Sequence, residues 1–347
     1  MSEYVTKTIS VKLDMPDDRI DDVLETFRQF NQACRMVLEV AWAGEHKNYN
    51  KQELHHETYY PIREITDLPA NLVCAARSRV AETVKACVVK WAKGRKASKP
   101  TFRDLSSIVY DKRTATIKDR YCTLATVNGR VRADYVLGDY QREHLDDPNY
   151  ETRSARLSYR DGTFFLNVTI RKPVLYQQTG VVMGIDLGVN NLAVTSTGKF
   201  FGAGFYNWKR NGYFRTKRGL QEKGTRGAKR TLRRLKRREN RFAEDHIHRV
   251  SKAIVQEALD HKVDTIVFEQ LDPIRDRMNS SHNRTKRQMH TWAFCKLQTF
   301  VAYKAAEVGM RVDHQDARYT SQKCSRCGHT QRSNRDGAVF CCRQCGY

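Results

Sequence analysis

Val181-Val182-Met183-Gly184-Ile185-Asp186-Leu187-Gly188 is the stretch that decides the fold. A short apolar run ends in a single carboxylate and then reaches glycine. That pattern predicts a buried strand that delivers Asp186 to the edge of a sheet. A second run of the same kind, Val263-Asp264-Thr265-Ile266-Val267-Phe268-Glu269, delivers Glu269. Two such strands side by side would bring both carboxylates onto one hard divalent cation, with Mg²⁺ the natural candidate. Paired cations of this kind serve phosphodiester hydrolysis. Each residue also has a plainer reading: Asp186 as a turn residue after a strand, and Glu269 as a strand-end carboxylate facing water.

The charge of the chain points to a polyanionic partner. Its 347 residues carry a net charge of +23 and a pI near 9.7. Nucleic acid is favoured over a membrane surface, because no apolar run approaches the roughly 20 residues that span a bilayer. Met1-Ser2-Glu3-Tyr4 is no apolar signal segment, so the expected location is intracellular, in the cytoplasm. Of ten cysteines, five fall in the last 24 residues. The others (Cys34, Cys74, Cys87, Cys122 and Cys295) sit among apolar neighbours, as reduced core cysteines do.

Taken in order, residues 4–13 alternate apolar and polar and predict a half-buried strand. Ile20, Val23, Leu24, Phe27, Phe30 and Ala33 keep helical spacing within 17–42. Asp67 and Pro69 predict the start of a second helix that runs to about Lys93, with Pro69 in the first turn. Residues 93–103 read as a basic, exposed linker ending near Phe102, and Lys99 and Arg103 are candidate nucleic-acid contacts. Residues 106–172 are strand-like, with the clearest hairpin at Ala155–Arg171 around an Asp161-Gly162 turn. Residues 1–172 therefore read as a small β domain with a helical insertion at about 17–93, followed by a linker at 173–180. From 181 the style becomes α/β, with an antiparallel meander expected through Asn191–Thr195 and Lys199–Phe201.

Residues 209–241 carry 15 Lys or Arg against two Glu, a local excess of 15 − 2 = +13. Leu232, Leu235, Phe242, Val250 and Ile254 keep helical spacing through and beyond this run. The expectation is one long basic helix over about 209–262. A merely solvated face would mix signs, so Arg226, Lys229, Arg230, Arg233, Arg234, Arg237 and Arg241 are candidate contacts, chiefly to phosphates. Leu271–Arg287 is polar and predicts a loop. Trp292–Val308 predicts an amphipathic helix, and Met310-Arg311-Val312 a further strand.

Cys324-Ser325-Arg326-Cys327-Gly328 and Cys342-Arg343-Gln344-Cys345-Gly346 are two Cys-x-x-Cys-Gly knuckles, 14 residues apart. Four thiolates match tetrahedral Zn²⁺ and leave no open position, so the ion would be structural. A redox pair is the alternative. Cys341 is one residue too far from Cys345 for the usual knuckle, and His329 reads as a bystander.

These motifs, in this order, resemble the TnpB family, also called OrfB: transposon-encoded RNA-guided nucleases related to type V CRISPR effectors and Fanzors. The resemblance rests on Gly184–Gly188 with Asn191-Leu192-Ala193, Ile266–Leu271, Tyr303-Lys304-Ala305, Tyr319–Gly328, Lys99–Arg103 and Phe340–Tyr347. It is sharpest over 181–347. It implies an α+β and α/β multidomain chain: an N-terminal β-barrel over 1–172 with its helical insertion, then a RuvC-like domain of RNase H type over 181–320, with a zinc ribbon at 321–347. In that family Asp186 and Glu269 take the positions of the first two catalytic carboxylates and hold Mg²⁺, and Cys324, Cys327, Cys342 and Cys345 hold zinc. The implied partners are a guide RNA and target double-stranded DNA, met at the prokaryotic nucleoid; no membrane partner is implied. The family's third catalytic Asp, in an Asp-x-Asn-Ala-Ala type stretch after the last knuckle, has no counterpart before Tyr347. Asp313, Asp316 and Asp336 lie in other contexts. That absence motivates one alternative, an RNA-guided DNA-binding protein without cleavage; a transposase accessory protein is the other alternative.

Overall fold

The computed structural model describes residues 3–270, 294–316, 322–336 and 339–347. It forms two compact units, Met1–Pro173 and Val174–Tyr347.

Among its described residues the first unit joins a seven-stranded antiparallel sheet to four α-helices. Its elements are β1 (Tyr4–Asp14), α1 (Ile20–Trp42), α2 (Lys51–Ile65), α3 (Ala70–Ala92), β2 (Ile108–Tyr110), β3 (Ala115–Ile117), β4 (Tyr121–Thr126), β5 (Gly129–Val136), α4 (Asp139–Leu145), β6 (Glu151–Arg160) and β7 (Thr163–Pro173). The strand order is β2-β6-β7-β1-β5-β4-β3. The alternation in β1 turns Val5, Ile9, Val11 and Leu13 inward, and the last three join one core with Val23, Phe27 and Phe30 of α1. The edge strands β2 and β3 are consecutive in the chain. They are joined by the 111–114 turn, where Asp111 Oδ1 accepts from the N–H groups of Arg113 and Thr114, and Tyr110 Oη donates to the Ala125 carbonyl at 3.1 Å. The β6–β7 hairpin turns at Asp161 (φ 50°) and Gly162 (φ 79°), the left-handed pair that a two-residue hairpin requires.

Three local features differ from expectation. The helix α2 carries Pro61 in its interior and a largely polar sequence; Leu54, Thr58 and Ile62, spaced by four, form a narrow buried stripe beneath it. Pro69 is the N-cap of α3 and not its first helical residue. Residues 93–103 are tied down at Phe102, which is buried, lies under the Arg79 guanidinium at 5.1 Å, and gives its carbonyl to Arg35.

The second unit is built on five strands: β8 (Val182–Asp186), β9 (Asn191–Thr195), β10 (Phe200–Gly202), β11 (Thr265–Gln270) and β12 (Arg311–Asp316). Their order is β10-β9-β8-β11-β12, with β11 parallel to both neighbours and β8-β9-β10 an antiparallel meander. The helices are α5 (Gly204–Lys223), α6 (Arg226–Asp260) and α7 (Phe294–Glu307). Met183, Ile185, Ile266 and Phe268 face α6 and α7 through Ile247, Ile254, Leu297 and Val301 in one core. The expected linker at 173–180 is bound to this unit through its later residues: Gln177 N–H donates to Gly309 O, Thr179 Oγ1 to Lys262 O and Gly180 N–H to Asp264 Oδ2. The remaining small sheet pairs β13 (Arg335–Asp336) with β14 (Val339–Phe340). The expected loop Leu271–Arg287, the helix start at Trp292 and the Tyr319–Ser321 stretch lie outside the described residues.

The expected single basic helix over 209–262 is two helices. Gly224 closes α5 in the left-handed conformation (φ 61°), and Thr225 caps α6 by accepting the Ala228 N–H at 3.2 Å. Charge periodicity runs unbroken through this break, which is why the sequence hides it. Glu239, one of the two acids in the basic run, is buried in α6 and takes Lys217 at 2.6 Å and Arg210 at 3.4 Å from α5. Glu239→Gln should therefore destabilise the second unit by roughly 2 kcal/mol, because it leaves two half-buried cations without their carboxylate. Urea denaturation measures this, with Glu222→Gln on the exposed end of α5 as the neutral control.

Candidate active site and metal centre

Strand register places the two carboxylates. Phe268 of β11 pairs with Ile185 of β8, so the next residues, Glu269 and Asp186, stand side by side at neighbouring strand ends. Adjacent strands lie about 4.8 Å apart. Because Ile185 and Phe268 point into the core, the period of two turns Asp186 and Glu269 to the opposite face. On that face Gly184, Asp186, Val194, Ser196, Val267, Glu269 and Gln315 line an open cleft of about 370 Å³. Gly184 has no side chain to fill the floor, and its N–H donates to Ser196 Oγ at 3.1 Å. The Glu269 carbonyl accepts from Gln298 of α7 at 3.3 Å, which pins the end of β11.

Gln315 was not singled out from sequence. The strand expected at 310–312 runs to Asp316, and its register sets Gln315 opposite Glu269 and Asp313 opposite Val267. The signal was faint, because β12 has one half-buried apolar residue, Val312, and otherwise exposed side chains. Asp264, at the other end of β11, does structural work. It is buried and held below the usual carboxylate range, first by the Thr265 hydroxyl and then by the Gly180 N–H. Two hard oxygen donors on one open face fit a divalent cation of the Mg²⁺ class.

The candidate nucleic-acid residues separate into two groups. Arg226, Lys229, Arg230, Arg233, Arg234, Arg237 and Arg241 are all exposed on α6, and none forms an ion pair among the described residues. Lys99 is paired with Glu39 at 2.8 Å, whereas Arg103 is exposed. An exposed pair of this kind is worth little, so it does not keep Lys99 from another anion.

The four knuckle cysteines converge. The Sγ atoms of Cys324, Cys327, Cys342 and Cys345 all lie within 4.8 Å of one another. Cys324–Cys345 and Cys327–Cys342 are each 3.6 Å apart. A tetrahedron with Zn–S of about 2.3 Å has edges of about 3.8 Å, so the spacing fits zinc. The two knuckles are built alike. Cys324 N–H donates to His329 O and Gly328 N–H to Cys324 O; Cys342 N–H donates to Tyr347 O and Gly346 N–H to Cys342 O. The left-handed Gly328 (φ 74°) and Gly346 (φ 71°) permit each turn. The thiol of Cys324 is lowered, chiefly by the Cys327 N–H. Burial works against ionisation of Cys342, but the N–H groups of Cys345 and Gln344 outweigh it and bring it to about 6. Cys341 and His329 stand outside the cluster. Asn334, which sequence reasoning missed, is buried between the knuckles, donating to Gln322 O at 2.9 Å and accepting from Arg343 N–H at 3.0 Å.

Comparison with known proteins follows the same lines. Residues 165–275 match the OrfB-IS605 family model, described as "Probable transposase", and residues 294–347 match the Cas12f1-like TNB domain. A Cas12f1 CRISPR-associated endodeoxyribonuclease of Sulfoacidibacillus thermotolerans is 35% identical over 183 residues, 48% of this chain and 42% of that protein. A TnpB-like protein of Aquifex aeolicus is 29% identical over 222 residues, 56% of this chain and 72% of that protein. The chain spans less than half the length of the Cas12f1 relatives it matches, 42% and 36%. Among solved structures, a Cas12f1–sgRNA–target DNA complex superposes with a TM-score of 0.65 at 13% identity, over 95% of this chain and 92% of that one. The fold resembles that of the Cas12f1 chain in that complex. In sequence the chain is similar to TnpB-like and Cas12f1 proteins.

The knuckle geometry makes a direct test. Chelation, or Cys327→Ser, should lower the melting temperature of the C-terminal module by several degrees, since a structural zinc contributes folding energy outright. Cys341→Ser should leave it unchanged, as read by differential scanning calorimetry.

Proposed function

We propose that this chain is an RNA-guided DNA endonuclease of transposon origin, cutting DNA beside a short adjacent motif, with Asp186 and Glu269 as its catalytic carboxylates. The observation that carries the reading is their placement: neighbouring parallel strand ends, in register, on the one sheet face not packed into the core. The five-stranded unit with its α6 and α7 helices is read as the RuvC-like, RNase H-type nuclease domain. The seven-stranded sheet of the first unit, with α1–α3 inserted after β1, is read as the β-barrel and recognition helices that hold guide RNA. The four-cysteine module is read as a zinc ribbon. Target sequence would then be read by base pairing with the guide, leaving the protein to hold backbones.

Each part of the site has a role in that chemistry. Asp186 and Glu269 would hold Mg²⁺. A bound divalent cation supplies Lewis-acid polarisation of the scissile phosphate and activation of water. Gln315, in the same cleft, presents an amide that can donate to a phosphate oxygen. The exposed arginines of α6 neutralise phosphates and bring a strong salt dependence to binding.

A second reading, guided binding without cleavage, is favoured by one observation. Among the described residues lining the cleft, only Asp186 and Glu269 are acidic. Mg²⁺-dependent cutting of a matched DNA by the chain with its copurifying RNA separates the two. Asp186→Ala should reduce cutting to background while target binding stays within about twofold. Tight RNA-dependent binding with no cutting by the unsubstituted chain would support the second reading, and cutting that persists in Asp186→Ala would remove Asp186 from the centre.

A further inference from the structure

We propose that the exposed Phe205–Trp208 pair at the start of α5 is a stacking platform for single-stranded DNA, on a helix turn tied to the loop that follows Asp186. The choice of DNA as the strand rests on the nuclease reading above. Between residues 200 and 208 three rings are more than half exposed: Phe200 at 67%, Phe205 at 58% and Trp208 at 62%. Apolar rings that open to water, three in one short stretch, need an occupant. Phe205 and Trp208, three residues apart on one helix face, are stacked with centroids 6.0 Å apart and planes 29° from parallel. Phe205 is held from behind by Phe242, edge-on at 5.9 Å, and by His246 at 6.3 Å. The platform is therefore rigid before anything binds.

Two hydrogen bonds set its position. Ala203 N–H donates to Asn190 O at 2.9 Å, and Asn207 Nδ2 donates to Val189 O at 2.8 Å. Both acceptors lie in the loop that directly follows Asp186. Val189 is three positions after Asp186, a Cα span of no more than about 11 Å. The residue next to Asn207 is Trp208, so the rings stand beside the loop leaving the carboxylate strand.

Charge chooses the occupant. An apolar protein partner would meet aliphatic surroundings, but here Lys209 Nζ lies 5.7 Å from the Trp208 ring centre, and Arg215 is exposed further along α5. The acid of α5, Glu222, is at the far end of the helix and paired with Arg218. Aromatic faces beside Lys209, on a helix whose acid lies at its far end, suit an unpaired nucleic-acid strand, whose bases stack while its phosphates pair. A duplex would keep its bases out of reach of the rings.

The test uses the full chain with its copurifying RNA and a labelled oligo-dT of about 16 nucleotides, the upper end of single-strand site sizes. Anisotropy titration at fixed salt should show roughly 5- to 150-fold weaker binding for Trp208→Ala, the range expected for losing one stacked base. Trp208→Leu, which keeps apolar bulk without an aromatic face, should lose as much. Trp208→Tyr should stay within about threefold of the parent. Binding of a blunt duplex should be unchanged in all three. The proposal is overturned if Trp208→Ala and Trp208→Leu bind oligo-dT as the parent does, or if the loss falls on an oligo-U probe and spares oligo-dT. Cutting assayed on the same preparations keeps the two readings apart. A Trp208 effect without any cutting supports the platform while the nuclease reading fails; cutting without a Trp208 effect does the reverse.

Discussion

The parallel pairing of β8 with β11 is the constraint on which the second unit depends. Met183 and Ile185 on one strand, and Ile266 and Phe268 on the other, are buried against α6 and α7. Burial of these four fixes the register, because a one-residue slip would turn every apolar side chain to the open face and every carboxylate into the core. Asp186 and Glu269 therefore need no contact of their own to be brought together. The core sets their positions and turns both side chains to the face away from α6 and α7.

The helices that cover the other face also organise the charge. Glu239 draws Arg210 and Lys217 inward and locks α5 to α6. Arg226, Arg230, Arg233, Arg234, Arg237 and Arg241 of α6 then project into water without ion-pair partners among the described residues, whereas Arg249 pairs with Asp245. A buried acid thus holds together a surface that would otherwise repel itself. The same packing fixes the first turn of α5 against the loop after Asp186, so the aromatic pair, the basic helices and the carboxylates share one scaffold.

How much of this was legible in the sequence depends on the kind of signal. The carboxylate strands were legible because an apolar run closing on one acid has few other readings. The knuckles were legible because their spacing mirrors tetrahedral ligation. The break at Gly224–Thr225 was not, since arginine and lysine continue on both sides and composition alone cannot mark a turn. The helix α2 was hidden by Pro61 and by a stripe only one residue wide. Gln315 was hidden because β12 stays exposed and carries no alternating apolar pattern through which register could be read. Asn334 had no sequence signal at all; its role exists only once both knuckles have folded around it.

The central claim is that Asp186 and Glu269 form one cation site. Localised oxidative cleavage with Fe²⁺ substituted for Mg²⁺ tests it most directly, since a bound iron cuts the nearby backbone and the fragments report its position. The expected result is paired cuts near 184–187 and 267–270, suppressed by excess Mg²⁺ and lost together in Asp186→Asn. Cuts near Glu269 that persist unchanged in Asp186→Asn, or no cut at either strand end, would contradict a shared site.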